Sequence, residues 1–283
     1  MILRLVTLII TSVLAGQALA FDLDFGAASD QGFAEPHDVV LSPDERFLYV
    51  ADNNNDRIAV LDPDTLKLLG TFGEGEIEAP HDVDFDESGR LLVADTGNDR
   101  IAIYQGRGVQ LTLVGELRGA IRRPEGVAVH PNGRVYATGA SSDNIEAFEN
   151  GTSVVQSSGL SSPHDIAVAR DGALWIADAG NDRLVKMTEK LEVVEIIEGS
   201  PYDFDGPRYL DLDDTGRLYV ADKYNHQIKI LAPDGALLLT LGSGDDGLGP
   251  REFDRPEGVA IRGQDVWFSD TYNDRIVRYR IVE

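Results

Sequence analysis

Six prolines, at positions 36, 80, 124, 163, 207 and 256, open six copies of one pattern about forty-four residues long. A unit of that length cannot bury its apolar face alone and must stack on its neighbours, which confines the chain to repeat architectures. After each proline comes a short strand with apolar positions three and five further on, such as Val39 and Leu41 or Val127 and Val129. A small polar residue and a glycine then turn the chain, as in Ser88-Gly89, Asn132-Gly133, Asp171-Gly172 and Thr215-Gly216. A second strand rich in aliphatic and aromatic residues follows (Phe47 to Ala51, Leu91 to Ala94, Leu174 to Ala177, Leu218 to Ala221), and aspartate closes it at 52, 95, 178, 222 and 270. A tight turn, most often Asn-Asp-Arg, leads to a third strand. Alternation at period two with Gly, Asn and Asp punctuation reads as hairpins, with almost no helical pattern.

A fourth apolar run ends in glycine in five units: Leu68 to Gly73, Leu111 to Gly115, Val154 to Gly159, Val193 to Gly199 and Leu237 to Gly242. The sixth unit lacks it, but Phe21-Asp22-Leu23-Asp24-Phe25-Gly26 carries the same pattern ahead of the first proline. The fold expected is all-β: a six-bladed β-propeller of four-stranded antiparallel blades. Strand 21–26 completes the last blade and removes two open edges.

Residues 1–20 read as a cleaved secretory signal peptide, with Arg4 in the n-region, an apolar run from Leu5 to Ala15, and the small-residue end Ala18-Leu19-Ala20. That leaves 21–283 as a single propeller domain, exported to the periplasm or the extracellular medium. Such a protein without any cysteine depends on its core rather than on disulfides. The net charge of −24, or −25 once Arg4 leaves with the leader, disfavours nucleic acid and anionic membranes as partners. A small molecule or peptide is the partner expected, bound by a monomer.

A residue present in most units serves what every unit needs. The strand-end aspartates and the turn arginines Arg57, Arg100, Arg183 and Arg275 are therefore read as structural. Information about function lies where the units differ. The position after the proline holds His37, His81, Glu125, His164, Arg208 and Glu257 in turn. It opens the innermost strand of each blade and so faces the mouth of the axial channel.

Alternate blades of a six-bladed ring stand about 120° apart. Blades two, four and six thus offer His81, His164 and Glu257, two imidazoles and a carboxylate suited to zinc with an open position or to iron(II). His37 is an alternative ligand, and Asp82 and Asp165 are candidates to orient the imidazoles. The other set contains Arg208, better suited to gripping a carboxylate than to sharing a metal site, together with Glu125. Blades five and six carry Tyr224 and Tyr272 in the turn on the same face, placed to flank the mouth. Blade three departs most from the pattern, with the looser turn from Ala137 to Asn144.

Pro124-Glu125-Gly126-Val127-Ala128-Val129, Leu48-Tyr49-Val50-Ala51-Asp52 and Asn55-Asp56-Arg57-Ile58 together resemble the NHL repeat, over essentially the whole chain after the leader. NHL propellers include peptide, protein and RNA platforms as well as enzymes, so the repeat implies the fold and leaves the function open. A weaker resemblance is to the propeller of the peptidylglycine α-amidating lyase, which holds zinc with histidines in Pro-His slots of alternating blades. His81 and His164 are similar to those slots, and Tyr224 lies in a turn like that of the catalytic tyrosine there. The chain departs from that enzyme at Glu257, where a histidine would be, and in lacking its bracing cysteines.

The expected function is capture of a small ligand or peptide terminus at a polar axial pocket, with a metal and Arg208 as its means. The alternative is a metal-dependent lyase or hydrolase using Tyr224 for proton transfer and Arg208 as anchor. A protein-interaction scaffold using the rim is the third reading.

Overall fold

A computed structural model describes residues 21–30 and 32–283, so the proposed leader lies outside the described residues. Six four-stranded sheets, each antiparallel throughout, form the six blades of a propeller. The inner strands of blades one to five begin at the repeating prolines: Pro36–Leu41, Pro80–Phe85, Pro124–Val129, Pro163–Val168 and Pro207–Leu212. In blade six the inner strand Val259–Arg262 starts later, and Glu257 precedes it. The outermost strand of the sixth sheet is the N-terminal segment Asp22–Ala28, paired antiparallel with Arg275–Val282. Between second and third strands, five blades make a single 3-10 turn, whose last residue adopts the left-handed conformation at Asp56, Asp99, Asp182, His226 or Asp274.

The hydrophobic core is divided into six clusters, each lying between two neighbouring blades. Large side chains from the second strands fill these gaps because each has a polar tip that finds a turn carbonyl. Tyr49 donates to the Gly108 carbonyl (3.1 Å), Tyr136 to Glu189 (2.7 Å), and the Trp267 indole to Pro63 (3.0 Å).

The repeated polar residues also join blades. The left-handed turn aspartates accept the backbone amide ahead of the next blade's proline, Asp56 from Ala79 and Asp274 from Glu35, both at 2.8 Å. The strand-end aspartates accept an amide seventeen or so residues earlier and the Nε of the turn arginine, as Asp52 does from Ala34 and Arg57. Two blades reach the same end differently. In blade five Gln227 stands where the arginine would, and Lys229, one strand period further on, forms the ion pair with Asp222. In blade three Gly139 stands where the aspartate would, and buried Glu146 on the adjacent strand accepts the Ala120 amide instead (2.7 Å).

Candidate functional site

The register of the inner hairpin slips between the proline and the residue three places on in blades one to five. This irregularity sits on the varied position itself. In a regular strand consecutive side chains point to opposite faces, whereas a bulge re-aims them. Here the residue after the proline joins the mouth of the channel, while Asp38, Asp82 and Asp165, next in sequence, line the cavity below.

All six varied residues meet at the mouth, and five are buried; Arg208 alone is partly exposed. Their pairing follows charge. Glu125 Oε2 lies 2.7 Å from His164 Nε2 and 3.7 Å from His81 Nε2. Burial alone would raise the Glu125 carboxyl, but His164 and His81 outweigh it and hold it well below the usual carboxylate range. Glu257 Oε1 is bound by Lys223 at 2.5 Å, and its Oε2 is 2.9 Å from His37 Nδ1. Burial opposes ionisation of Glu257 as well, yet His37 and Lys223 keep it low. The His37 contact is close but out of line for a hydrogen bond, leaving both His37 Nδ1 and Glu257 Oε2 buried without a partner.

Each of the other two imidazoles has one nitrogen spent. The His81 Nδ1–H donates to the Ala79 carbonyl (2.9 Å) and the His164 Nδ1–H to Ser162 (2.8 Å). Burial, with His37 stacked edge-on at 4.3 Å, pushes His81 down to about 4. Arg208 Nη1 is pressed against the His164 ring, and Nη2 donates to the Tyr224 hydroxyl at 3.2 Å. Its Nε is buried and unpartnered.

The structure does not assemble the alternate-blade metal set. His81 and His164 converge on Glu125 rather than on Glu257, which is held by Lys223, and the guanidinium of Arg208 occupies the Nε2 side of His164. Among the described residues no three His, Asp or Glu side chains are placed to hold a metal ion. The zinc implied by the amidating-lyase resemblance does not fit this arrangement, and no chemical step is derived through it. Nor do Asp82 and Asp165 orient the imidazoles. Asp82 accepts the amides of Val83 and Val127 (both 2.5 Å), and Asp165 those of Ile166 (2.6 Å) and Leu210 (2.8 Å), so each fastens the next blade's inner strand.

Below the mouth the axis holds a cavity of about 350 Å³, lined by Asp38, Asp82, Asp165, Asp84 and Asp211 among apolar strand residues. Burial pushes Asp82 up to about 6, and Asp84 and Asp211 up to about 7; burial and the neighbouring Asp82 carboxyl raise Asp38 and Asp165 as well. Tyr209 separates the two levels. Rooted in blade five, it donates to the Glu125 carbonyl of blade three (3.2 Å) and meets His37 of blade one edge-on, so its ring crosses the axis. Sequence reasoning missed it, although it is the one bulky residue in a position otherwise filled by Asp or Gly. At Gly126 and Gly258, in that same position, a Cβ would come within 2.2 and 2.4 Å of the neighbouring blade's carbonyl oxygens.

Tyr224 and Tyr272 stand at the mouth half exposed, and cations alternate with them. Arg208 lies over Tyr224 (5.6 Å), Lys223 lies between Tyr224 and Tyr272 (5.7 and 5.3 Å), and Arg255 lies over Tyr272 (4.4 Å). Lys223 was not legible as a site residue, since its position in other blades carries Asn53, Thr96, Ala179 or Thr271.

Comparison with known proteins identifies two repeat families along the chain. Residues 160–187 and 204–231 match the NHL repeat, and residues 17–131 match the "Lactonase, 7-bladed beta-propeller" family, although the blades here number six. The chain is 29% identical over 136 residues to NHL repeat-containing protein 3 of Mus musculus, an alignment covering 41% of this chain and 39% of the mouse protein. Among solved structures, virginiamycin B lyase of Staphylococcus aureus superimposes with a TM-score of 0.67 at 14% identity, over 93% of this chain and 100% of the other. An auxiliary nutrient binding protein of Bacteroides ovatus gives 0.71 at 17% identity, over 93% and 77%. At such identities the superpositions establish a shared fold alone.

Proposed function

The chain belongs to the NHL-repeat propellers, and from that premise we propose that it is a binding module taking a small ligand or a peptide terminus at the axial mouth beside Arg208, Tyr224 and Tyr272. One observation carries the reading: His37 Nδ1, Arg208 Nε and Glu257 Oε2 are buried at the mouth with no hydrogen-bond partner. Unsatisfied buried polar groups are rare and costly, and they concentrate where a ligand completes the set. The likeness in fold to a nutrient-binding protein and to a lyase is compatible with a ligand on the axis. The leader-like first twenty residues favour export; no helix among the described residues is long and apolar enough to cross a membrane.

Soaking a fragment library into crystals of the mature chain tests this. Hits are expected at the mouth and are expected to weaken in His37→Ala. Hits confined to the outer rim would favour the interaction-scaffold reading instead. What speaks for chemistry beyond binding is the contact of Arg208 Nη2 with the Tyr224 hydroxyl. Turnover of a mouth-bound compound that Tyr224→Phe abolishes even at saturating ligand would make the protein an enzyme.

A further inference from the structure

We infer that the ligand of the mouth presents a single carboxylate and that Arg208 receives it; the inference rests on the mouth being a binding site. Every other cation there has a counter-ion. Lys223 is paired with Glu257, Arg123 Nη2 is 3.5 Å from Glu125, and Arg255 Nε is 3.9 Å from Asp254. Arg208 has none in contact: among the described residues no carboxylate lies within 4.0 Å of it, and Glu257, which its charge helps to hold low, is already claimed by Lys223. Its neighbours are an imidazole and a phenol, neither of which neutralises a guanidinium.

A partly buried charge without a counter-ion is unfavourable, and an arginine in this state is suited to an incoming anion. The planar guanidinium matches the two oxygens of a carboxylate. The charge also matches. One unpaired cation beside two ionised buried carboxylates, Glu125 and Glu257, accommodates one negative charge and repels a second, which argues against a phosphate dianion.

Arg208 is also the one member of the ring within reach of solvent, and Tyr224 positions it. The Tyr224 ring sits on Gly206, whose φ of +62° is in the left-handed region and whose Cβ, if present, would lie 2.6 Å from the ring. That seat holds the hydroxyl against Nη2. The acid itself has two possible sources, a free small acid or the C-terminus of a peptide, and both display the same group.

The test is calorimetric titration of the mature protein with N-acetylglycine and N-acetylglycinamide, with a hexapeptide bearing a free or an amidated C-terminus, and with inorganic phosphate. One of the two acids is expected to bind about tenfold or more tightly than its amide, and which one identifies the source. Arg208→Gln is expected to abolish that preference; Arg208→Lys, which keeps the charge and loses the planar fork, serves if the glutamine variant melts early. Tyr224→Phe should weaken acid binding several-fold more than amide binding, with the melting temperature unchanged, which a merely structural role would not produce. Equal affinity for acid and amide, tighter binding of phosphate, full acid affinity in Arg208→Gln or failure of both acids would overturn the inference. If both acids fail while neutral or cationic fragments occupy the mouth, the binding module stands and only the carboxylate falls.

Discussion

Two tiers of carboxylates line the axis, buried at the mouth and half-buried in the channel, and they are driven in opposite directions. Glu125 and Glu257 at the mouth are held low by imidazoles and Lys223, whereas Asp84 and Asp211 in the channel are pushed up to about 7. Burial acts upward on both tiers. The difference is company: the mouth carboxylates face imidazoles and Lys223, while the channel aspartates face backbone amides and one another. Amide hydrogen bonds offset part of the desolvation of a carboxylate, and a nearby full charge offsets all of it. The Tyr209 ring lies between the two tiers, and carboxylates of both act on its hydroxyl.

The largest effect is expected from breaking the mouth. Glu257→Ala leaves the Lys223 ammonium buried without its counter-ion, and should lower stability by about 3–5 kcal/mol in urea denaturation. A loss under about 1 kcal/mol would mean that water already shares the pair. Removing the partition comes next. Tyr209→Ala opens a void on the axis and should cost about 3 kcal/mol. Water admitted to the void should hydrate and screen the axial carboxylates, so the same melts should depend less steeply on pH. An unchanged pH profile would mean that the void stays dry.

The smallest effect sharpens the contrast without disrupting packing. For Asp84 and Asp211 the folded value is raised above the unfolded 3.8. Their favourable contribution is thus complete below that unfolded value and is lost as pH rises through about 7. The mouth carboxylates are lowered, so theirs is present above 4.5 and is lost as pH falls further. Stability should peak in mildly acidic solution and drop by roughly 2 kcal/mol towards pH 8. Asp84→Asn should flatten the alkaline limb only. A maximum at pH 8 would contradict the division into two tiers.

The blades were legible because each is announced by proline, glycine and aspartate at places where backbone geometry demands them. The six-member ring at the mouth was legible because a repeat fixes equivalent positions in space. Who pairs with whom was not. His81 and His164 choose Glu125 over Glu257 because Lys223 claims the latter, and nothing about Lys223 in sequence says that its ammonium turns inward. The bulge that aims His81 and Asp82 along the same axis is a backbone event without a residue signature, so the aspartates' direction was unreadable. Lys229 replaces the arginine clamp from two residues further along, a compensation visible only once strands are laid side by side.

The pairing of Asp22 with Val282 spans nearly the whole chain. During synthesis the first outer strand emerges long before its partner exists, and it must wait with one edge unsatisfied while the other blades form. Contacts of such long range are won late and slowly. Closure of the ring therefore waits on the third strand of the sixth blade, and until then the first outer strand keeps a free edge.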